Sequence, residues 1–402
     1  MSSSGAGSPP SCAHRPSSSR SRAASCPPAE PISGSKPGTP RPRKVSAPSA
    51  SSPGQGSPMA NRSSLRVGVV GATGLVGRIL LGILQERRFP VGELRPFSSG
   101  RGASAVLWRG RRIPCAAASL EALRACDLAF LVSSDEVSER FGPALAAAGV
   151  WTIDDSSAFR LHKDVPLVIP EVNAQALSPR RRLIAGPNCT LTGAAVVGAP
   201  LLRAGGLKAV RLASYQAVSG AGRAALEEYH AQARRAAAKA GRSGPLDIPP
   251  YPEPKVFPKP IALNLFPQVG SFDRNGDCSE EFKVREELRK IWGARALPIS
   301  ATTVRVPVVR CHSLALWIET RRPLGLPRVR ALLRRAPGLK LWEGDYPTPA
   351  SALETDEVHV GRVRRGALPK ELSFWVVSDN LRKGAALNSV QIAELLLKKR
   401  WL

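Results

Sequence analysis

The chain has 402 residues, 43% of them hydrophobic, and carries 58 Lys and Arg against 31 Asp and Glu, a formal net charge of +27. This apolar content supports a sizeable core and excludes wholesale disorder, and the length suits two or three domains. No apolar run approaches the ~18 residues of a membrane span, and the first residues lack the continuous apolar stretch of a secretory signal.

The cysteine pattern argues against disulfide-linked and zinc-binding proteins, and the distribution of basic charge argues against a nucleic-acid-binding protein. The seven cysteines form no CxxC pair and no Cys/His cluster with zinc spacing, so we expect a reduced, cytoplasmic chain without a metal site. The basic residues are scattered beside turn formers with little aromatic interleaving. We therefore expect a solvated basic surface that attracts anions, and no nucleic-acid interface.

Residues 1–58 consist of Ser, Pro, Gly, Ala and Arg, with seven basic residues and one acid. Such a segment cannot bury enough apolar surface to offset its ordering entropy, so we predict a disordered tail over residues 1–62. Met59 stands just before the first ordered segment. Translation could start there, and the alternative is a transit-like or interaction tail.

Short apolar strands alternate with helical patterns from residue 65 onward. Strands alternating with helices imply a parallel sheet that is covered on both faces. The predicted strands are residues 65–70, 93–99, 128–133, 150–154 and 183–185, and the predicted helices include 120–125 and 141–148.

After residue 189 the regular alternation of short strands and helices ends, and the pattern predicts an α+β region with a mixed sheet. A final amphipathic helix, residues 388–399, is expected to pack back on the first domain. The other predicted elements are helices 190–204, 223–240 and 329–335, a Pro-rich loop 244–260, and strands 210–217, 301–309, 314–319 and 374–378. The predicted domain boundaries are 63–188, 189–379 and 380–402.

Gly71, Gly74 and Gly77 form a GxxGxxG pattern between the first strand and the first helix. Glycines there permit a tight turn and let backbone N–H groups approach a pyrophosphate, which favours a Rossmann-like dinucleotide-binding domain over an ordinary turn. At the end of the second strand no acid appears. Ser99 and Arg101 suit a 2′-phosphate, so NADP is favoured over NAD, unless Arg101 is one more surface arginine.

Cys189 begins a helix, where the helix dipole is expected to lower the pKa of its thiol, although a packing role is equally open. His312 lies at the end of a predicted strand and could act as its acid/base. Arg305 and His312 are seven residues apart, so they would face opposite sides of a regular strand. Sharing one pocket requires a bend at Pro307 or beyond Val309.

Two other stretches carry groups that could bind a ligand. Residues 216–222 form a Gly-containing, hydrogen-bonding loop, or else an ordinary turn. Glu280 and Lys283 lie three apart at the start of a helix and can share one face, although a solvated surface pair explains them equally.

Taken together and in order, these motifs resemble those of the bacterial aspartate-semialdehyde dehydrogenase family. The resemblance runs from Leu65 to Trp401. It rests on GATGLVG at 71–77, VPLVIPEVN at 165–173, Pro187-Asn188-Cys189, QAVSGAG at 216–222, Arg305 with His312, and WVVSDNLRKGAALNS at 375–389. It implies a Rossmann-like NADP-binding domain (63–188), a catalytic and dimerisation domain (189–379), and a homodimer or homotetramer.

The resemblance also implies a reaction. The family interconverts L-aspartate 4-semialdehyde and L-aspartyl 4-phosphate with NADP and inorganic phosphate, through a cysteine thioester. The reaction serves lysine, diaminopimelate, threonine and methionine biosynthesis. By position, Cys189 is the nucleophile, His312 the acid/base that takes the thiol proton, and Gln216 the group that orients the thiohemiacetal beside Asn188.

Binding roles follow from the resemblance in the same way. Arg305 and Glu280 would hold the substrate carboxylate and amino groups, and Lys283 and Arg160 would bind phosphate. The implied NADP contacts are Gly71, Thr73, Gly74, Leu75, Val76, Gly77, Ser99, Arg101, Gly102, Ser219, Gly220 and Asn380.

The chain departs from the family pattern at four places. The family commonly has Ser after the cysteine, Asn in place of Asp155, Ser-Ala-Gly in place of residues 133–135, and a polar residue in place of Leu314; here Thr190 follows the cysteine. These departures leave a catalytically weakened paralogue open. An N-acetyl-glutamyl-phosphate reductase-like enzyme is the other alternative, against which Glu280 and the Asn188-Cys189 pair argue.

Overall fold

The computed structural model describes residues 64–98, 104–239 and 253–402. The predicted tail and three predicted cofactor contacts, Ser99, Arg101 and Gly102, lie outside these ranges. Among the helices of the described residues, none combines the length and apolar character that crossing a membrane requires.

The first half of the described chain builds a six-stranded, wholly parallel sheet and a short antiparallel hairpin. The strands are β1 (Leu65–Val70), β2 (Val91–Ser98), β3 (Ala105–Trp108), β4 (Arg111–Pro114), β5 (Ala116–Ala117), β6 (Leu128–Leu131), β7 (Trp151–Asp154) and β8 (Leu183–Ala185). The sheet order is β5-β2-β1-β6-β7-β8, and β3 pairs with β4. The buried strands β6, β7 and β8 have no exposed residue, as a sheet covered on both faces requires.

Helices cover this sheet on both faces. The helices in this half of the chain are, in chain order, α1 (Leu75–Glu86), α2 (Leu120–Arg124), α3 (Asp135–Ala147), α4 (Pro170–Asn173) and α5 (Cys189–Gly205). One apolar cluster joins the sheet to α1 and to the C-terminal helix, and a second joins it to α2 and α3. The predicted α/β class and parallel sheet are confirmed.

The second half of the chain builds a six-stranded mixed sheet. Its strands are β9 (Leu207–Gln216), β10 (Ile299–Arg305), β11 (His312–Thr320), β12 (Leu339–Leu341), β13 (Val358–Arg365) and β14 (Glu371–Ser378), in the order β10-β9-β11-β14-β13-β12. The two outer pairs are parallel and the inner pairs antiparallel. The helices are α6 (Arg223–Lys239), α7 (Ser279–Ile291), α8 (Leu326–Arg335), α9 (Pro349–Ala352) and α10 (Leu387–Lys398).

Helix α5 lies at the centre of the molecule and packs against α7, α8, β11 and β14. Its small residues let these neighbours approach closely. A Cβ on Gly193 would lie 3.1 Å from a Val376 methyl carbon, and one on Gly198 would lie 2.5 Å from the Trp292 ring. The Trp292 indole also donates to the carbonyl of Ala195. The composition of α5 is therefore a packing requirement.

Two predicted boundaries are wrong at places that matter for the site. The strand predicted over 301–309 ends at Arg305, because Pro307 cannot donate to a ladder and the chain turns there. His312 consequently begins β11 and does not end the preceding strand. Helix α3 begins at Asp135, six residues earlier than predicted, because its polar first turn carries no apolar periodicity.

We expect Gly198→Ala to lower the free energy of unfolding by about 1–3 kcal/mol, because the new methyl group would overlap the fixed Trp292 ring. Gly82→Ala is the matched control, since Gly82 lies in α1 with its nearest neighbour 3.9 Å from the added Cβ. That change should raise stability by roughly 0.5–1 kcal/mol. Urea denaturation measures both, and equal stability of the two variants would contradict the packing assigned to α5.

Candidate active site

A pocket of about 370 Å³ opens at the carboxyl ends of β1, β6 and β7. Ligands of open parallel sheets bind at this edge, where successive loops converge. Segments from both halves of the chain line the pocket: Gly74, Leu75, Val76, Val132, Ser133, Asp155, Arg160, Pro187, Cys189, Ser219, Gly220, Gly222, Arg223, Asn380, Leu381, Gly384 and Ala385.

The glycine turn after β1 has the shape that a bound pyrophosphate requires. Gly71 has a φ of +88°, and a Cβ there would overlap the carbonyl oxygen of Val132. A Cβ on Gly77 would overlap the carbonyl oxygen of Gly71. Gly74 precedes α1 with no side-chain cap, so the first backbone N–H groups of the helix face the pocket unshielded. This arrangement fits a dinucleotide phosphate.

The predicted contacts in this turn divide into two kinds. Gly74, Leu75 and Val76 line the pocket, whereas Gly71 and Gly77 shape the turn from behind it. Thr73 does not line the pocket. Its carbonyl accepts hydrogen bonds from Arg78 and Arg223.

Cys189 lines this pocket, and its thiol lies beside the imidazole of His312, which is not among the lining residues. Sγ lies 3.4 Å from Nε2 of His312. Asn188 positions the thiol by capping α5, because its Oδ1 accepts from the backbone N–H of Thr190 at 2.7 Å. Gly384 packs directly on the cysteine, where an added Cβ would lie 2.8 Å from Cys189 Cβ. The two residues that sequence alone could not pair are therefore adjacent.

The backbone N–H of Ala217 donates to Nδ1 of His312 at 3.0 Å. A neutral imidazole has one donor nitrogen and one acceptor, so this bond assigns the ring proton to Nε2, which faces the sulfur. Burial, reinforced by the charge of Arg305, lowers the pKa of His312 to about 3. The ring is therefore neutral at pH 7, and its geometry favours a donor role at Nε2 over the predicted uptake of the thiol proton.

The predicted lowering of the Cys189 pKa is wrong for the described structure. Burial first, and then the negative charge of Glu280, raise the pKa of this thiol to about 11. Arg160, Arg305 and the hydrogen bond with Thr190 act in the opposite direction. Sequence reasoning considered the helix dipole alone and could not foresee how completely α5 is enclosed.

Glu280 ties together the polar groups around the thiol. Its Oε1 accepts from the Thr190 hydroxyl at 2.7 Å and from Gln216 at 3.3 Å, and its Oε2 accepts from the Asn188 amide at 2.9 Å. The two members of the predicted surface pair therefore differ: Glu280 is hydrogen-bonded to residues around the thiol and is not a solvated surface residue. Lys283 is half-buried on the same helix and does not line the pocket.

Arg305 and His312 converge on the turn that contains Gly220. A Cβ on Gly220 would lie 3.1 Å from His312 Cε1 and 3.2 Å from an Arg305 guanidinium nitrogen, so only glycine leaves both groups room. The predicted bend lies between β10 and β11, and Cys311, with a φ of +75°, is its last residue. Arg305 also donates to the carbonyl of Ala217 at 2.7 Å.

Asn380 joins the cofactor side of the pocket to the histidine loop. Its Nδ2 donates to the Ser219 hydroxyl at 3.1 Å, and its Oδ1 accepts from the backbone N–H of Cys311 at 2.9 Å. Its side chain is buried, as is Ser219. Both residues were predicted as cofactor contacts, and both line the pocket.

Arg160 brings a positive charge to the wall of the pocket. Its guanidinium donates to the carbonyl oxygens of Gly186 at 3.0 Å and Asp155 at 2.7 Å, and lies 3.6 Å from the Glu287 carboxylate. Glu287 also accepts from the backbone N–H of Asn188 at 2.9 Å.

Sequence reasoning missed Arg223, Gly384 and Glu287. Helical spacing could have found Glu287, because it lies seven residues beyond Glu280 and therefore on the same face of α7. Gly384 lies in a matched stretch but carries no side chain that signals its contact. Arg223 follows Gly222 without any distinguishing pattern.

Comparison with known proteins defines the class first. The semialdehyde dehydrogenase NAD-binding domain matches residues 66–179, and the semialdehyde dehydrogenase dimerisation domain matches residues 199–383. The parallel sheet with its pocket therefore belongs to an NAD(P)-binding domain of a semialdehyde dehydrogenase.

Individual relatives narrow the class. The chain is 40% identical over 348 residues to aspartate-semialdehyde dehydrogenase from Synechocystis, covering 85% of this chain and 99% of that one. It is 42% identical over 337 residues to the same enzyme from Streptomyces akiyoshiensis, covering 83% and 98%. The crystal structure of aspartate semialdehyde dehydrogenase II from Vibrio cholerae superimposes with a TM-score of 0.79 at 36% identity, covering 84% and 99%. The chain belongs to the aspartate-semialdehyde dehydrogenase family and is an oxidoreductase.

We expect Glu280→Gln to accelerate alkylation of Cys189 by iodoacetamide about three- to tenfold at mildly alkaline pH, because removing the carboxylate charge lowers the thiol pKa and raises the fraction of thiolate. Glu286→Gln is the matched control on the same helix. Mass spectrometry of the Cys189 peptide gives the rate. An unchanged rate in the Glu280 variant would contradict the electrostatic coupling.

Proposed function

We propose that this oxidoreductase interconverts L-aspartate 4-semialdehyde and L-aspartyl 4-phosphate with NADP and inorganic phosphate, through a thioester on Cys189. The observation that carries the proposal is the 3.4 Å approach of Cys189 Sγ to His312 Nε2 at the glycine-lined pocket. A relative of known structure, aspartate semialdehyde dehydrogenase II from Vibrio cholerae, has been crystallised in complex with ASA. We place the reaction in lysine, threonine and methionine biosynthesis.

The substrate's own charges suit the groups around the thiol. The guanidinium of Arg305 is proposed to pair with the α-carboxylate, and the carboxylate of Glu280 with the α-amino group. Glu280 accepts hydrogen bonds from Asn188 and Thr190, the two neighbours of Cys189 in the chain, and the Arg305 guanidinium lies with the His312 ring against Gly220. Arg160 and Lys283 are proposed to bind phosphate. Gln216, held within reach of Glu280, is proposed to orient the thiohemiacetal oxygen.

The first chemical step requires the thiolate of Cys189. Arg160 and Arg305 favour this form, and the thiol proton passes to solvent water, because His312 Nε2 already carries a proton. The thiolate forms a bond to the aldehyde carbon, and the carbonyl oxygen becomes an alkoxide. His312 Nε2–H, already directed at the sulfur, donates a hydrogen bond to that oxygen.

Oxidation then converts the thiohemiacetal into the thioester. NADP, when bound, supplies the hydride acceptor. Arg160 and Lys283 hold phosphate for attack on the thioester carbonyl, after which the carbon–sulfur bond breaks and the thiolate leaves. The thioester conserves the energy of oxidation for the acyl phosphate that is released.

The choice of NADP depends on Ser99, Arg101 and Gly102, which lie outside the described residues. A hydroxyl and a guanidinium in place of an acid support recognition of a 2′-phosphate. The glycine turn, Ser219, Gly220 and Asn380 are proposed to hold the rest of the dinucleotide.

We further propose a cytoplasmic homodimer or homotetramer. A match to a dimerisation domain over residues 199–383 supports self-association. Neither alternative function gains support, because the relatives share the name aspartate-semialdehyde dehydrogenase. The domain division 63–188, 189–379 and 380–402 remains our proposal.

The proposal predicts phosphate-dependent reduction of NADP⁺ by aspartate semialdehyde, with NAD⁺ a poorer acceptor. Cys189→Ser should lower kcat by about 10³-fold or more, because the hydroxyl is far less nucleophilic at neutral pH. Cys115→Ser, at a half-buried cysteine outside the pocket, should retain full activity. Substantial turnover by the Cys189 variant, or turnover without phosphate, would contradict the thioester route.

A further inference from the structure

Asp155 lines the pocket and carries a buried carboxylate oxygen, Oδ2, that has no hydrogen-bond partner. Within the described residues, three buried side-chain atoms lack a hydrogen-bond partner: Asp155 Oδ2, Glu287 Oε1 and Ser373 Oγ. Glu287 Oε1 is within 3.6 Å of the Arg160 guanidinium, and neither Glu287 nor Ser373 lines the pocket. Asp155 does. A buried polar oxygen without a hydrogen-bond partner lowers the stability of the fold, so such an atom beside a ligand site indicates a partner that binds there.

The Asp155 side chain is held in one position. Its Oδ1 accepts a short hydrogen bond from the Ser389 hydroxyl of α10. A Cβ on Gly186 would lie 2.5 Å from that same oxygen, so the segment between β8 and α5 closes one side. The backbone of Asp155 is fixed by its N–H bond to Leu131 and by Arg160, which donates to its carbonyl at 2.7 Å. Oδ2 cannot turn away to find a partner elsewhere.

The charged groups that face Asp155 come from several elements. Asp154 precedes it on β7, Arg160 follows in the next loop, and Cys189 lines the same pocket from α5, while α10 contributes the neutral Ser389. Burial and Asp154 raise the pKa of Asp155, to about 6, against the opposing effects of Ser389 and Arg160. The side chain therefore changes charge close to neutral pH, beside a fixed guanidinium.

We propose that Asp155 tunes the anion site at Arg160: its protonated Oδ2 donates a hydrogen bond to an oxygen of bound phosphate, and its carboxylate repels the same anion. The inference rests on the proposed function for the placement of phosphate at Arg160. An anion oxygen gives the neutral carboxyl the partner that Oδ2 lacks. The ionised carboxyl instead opposes the attraction of the Arg160 guanidinium.

The direction of the pH effect follows from these charges. At acid pH the neutral carboxyl adds a donor to the site, and anions bind tightly. As pH rises through the Asp155 transition, a negative charge appears next to the anion and binding weakens. The thiol of Cys189, with its pKa raised to about 11, stays neutral over this interval and does not contribute.

Sulfate is the probe, because it stays a dianion from about pH 5 to about pH 8, whereas phosphate changes its own charge. Its dissociation constant from the full chain is measured by calorimetry, and its competition with phosphate by inhibition kinetics. For the unaltered chain we expect sulfate to bind about tenfold more weakly at the upper pH.

For Asp155→Asn we expect tight sulfate binding that does not vary with pH. Asp164→Asn removes an equal charge from an exposed position and should behave like the unaltered chain.

The sulfate experiment distinguishes failure of the proposed anion site from failure of the role of Asp155. If sulfate neither binds nor competes with phosphate at any pH, the anion site at Arg160 is wrong and the inference falls with it. If sulfate competes but Asp155→Asn keeps the pH dependence of the unaltered chain, the inference alone is overturned. Should that variant not fold, Ser389→Ala provides the test. It removes the bond that lowers the Asp155 pKa, so the midpoint of sulfate binding should move to higher pH, and an unmoved midpoint would refute the role of Asp155.

Discussion

The hydrogen bond from the backbone N–H of Ala217 to His312 Nδ1 is the constraint on which the site depends. It selects the tautomer whose proton faces the Cys189 sulfur, and it fixes the plane of the ring. The mixed sheet supplies this bond, because Ser313 pairs with Tyr215 in the antiparallel register of β9 and β11. The segment that follows β9 therefore holds His312, the first residue of the neighbouring strand β11. The position of His312 beside Cys189 is therefore a product of strand register.

A second constraint holds the thiol side of the site. The segment Arg382–Ala386 forms a single π-helical turn that brings Gly384 against Cys189. Lys383 precedes Gly384 in that turn and is fully buried. Its ammonium group is 2.7 Å from both the Glu171 carboxylate and the Gln391 side-chain oxygen. A paired and hydrogen-bonded buried cation tolerates little displacement, since movement would leave a charge unpaired. The turn thus joins α4, α10 and α5 behind the sulfur of Cys189.

The sequence predicted much of this arrangement and failed where long-range packing decides. Apolar strands that alternate with helical patterns predicted the parallel sheet, and the spacing of Gly71, Gly74 and Gly77 predicted the glycine turn, because both are local patterns. The pairing of Arg305 with His312 required a bend whose position spacing alone left open. The Cys189 pKa was predicted in the wrong direction, since burial is a property of the folded chain. The unpaired oxygen of Asp155 likewise has no local signal, because it depends on α10 and on Gly186.

The tautomer of His312 offers the most direct test of this account. Nitrogen-15 NMR of the histidine-labelled protein distinguishes protonated from unprotonated ring nitrogens, and a His312→Asn variant identifies the signals among the five histidines. We predict one proton, on Nε2, and no titration from about pH 5 to about pH 8, because burial holds the pKa near 3. A proton on Nδ1, or titration near the ordinary histidine pKa, would contradict the hydrogen bond from Ala217 and the donor role built on it.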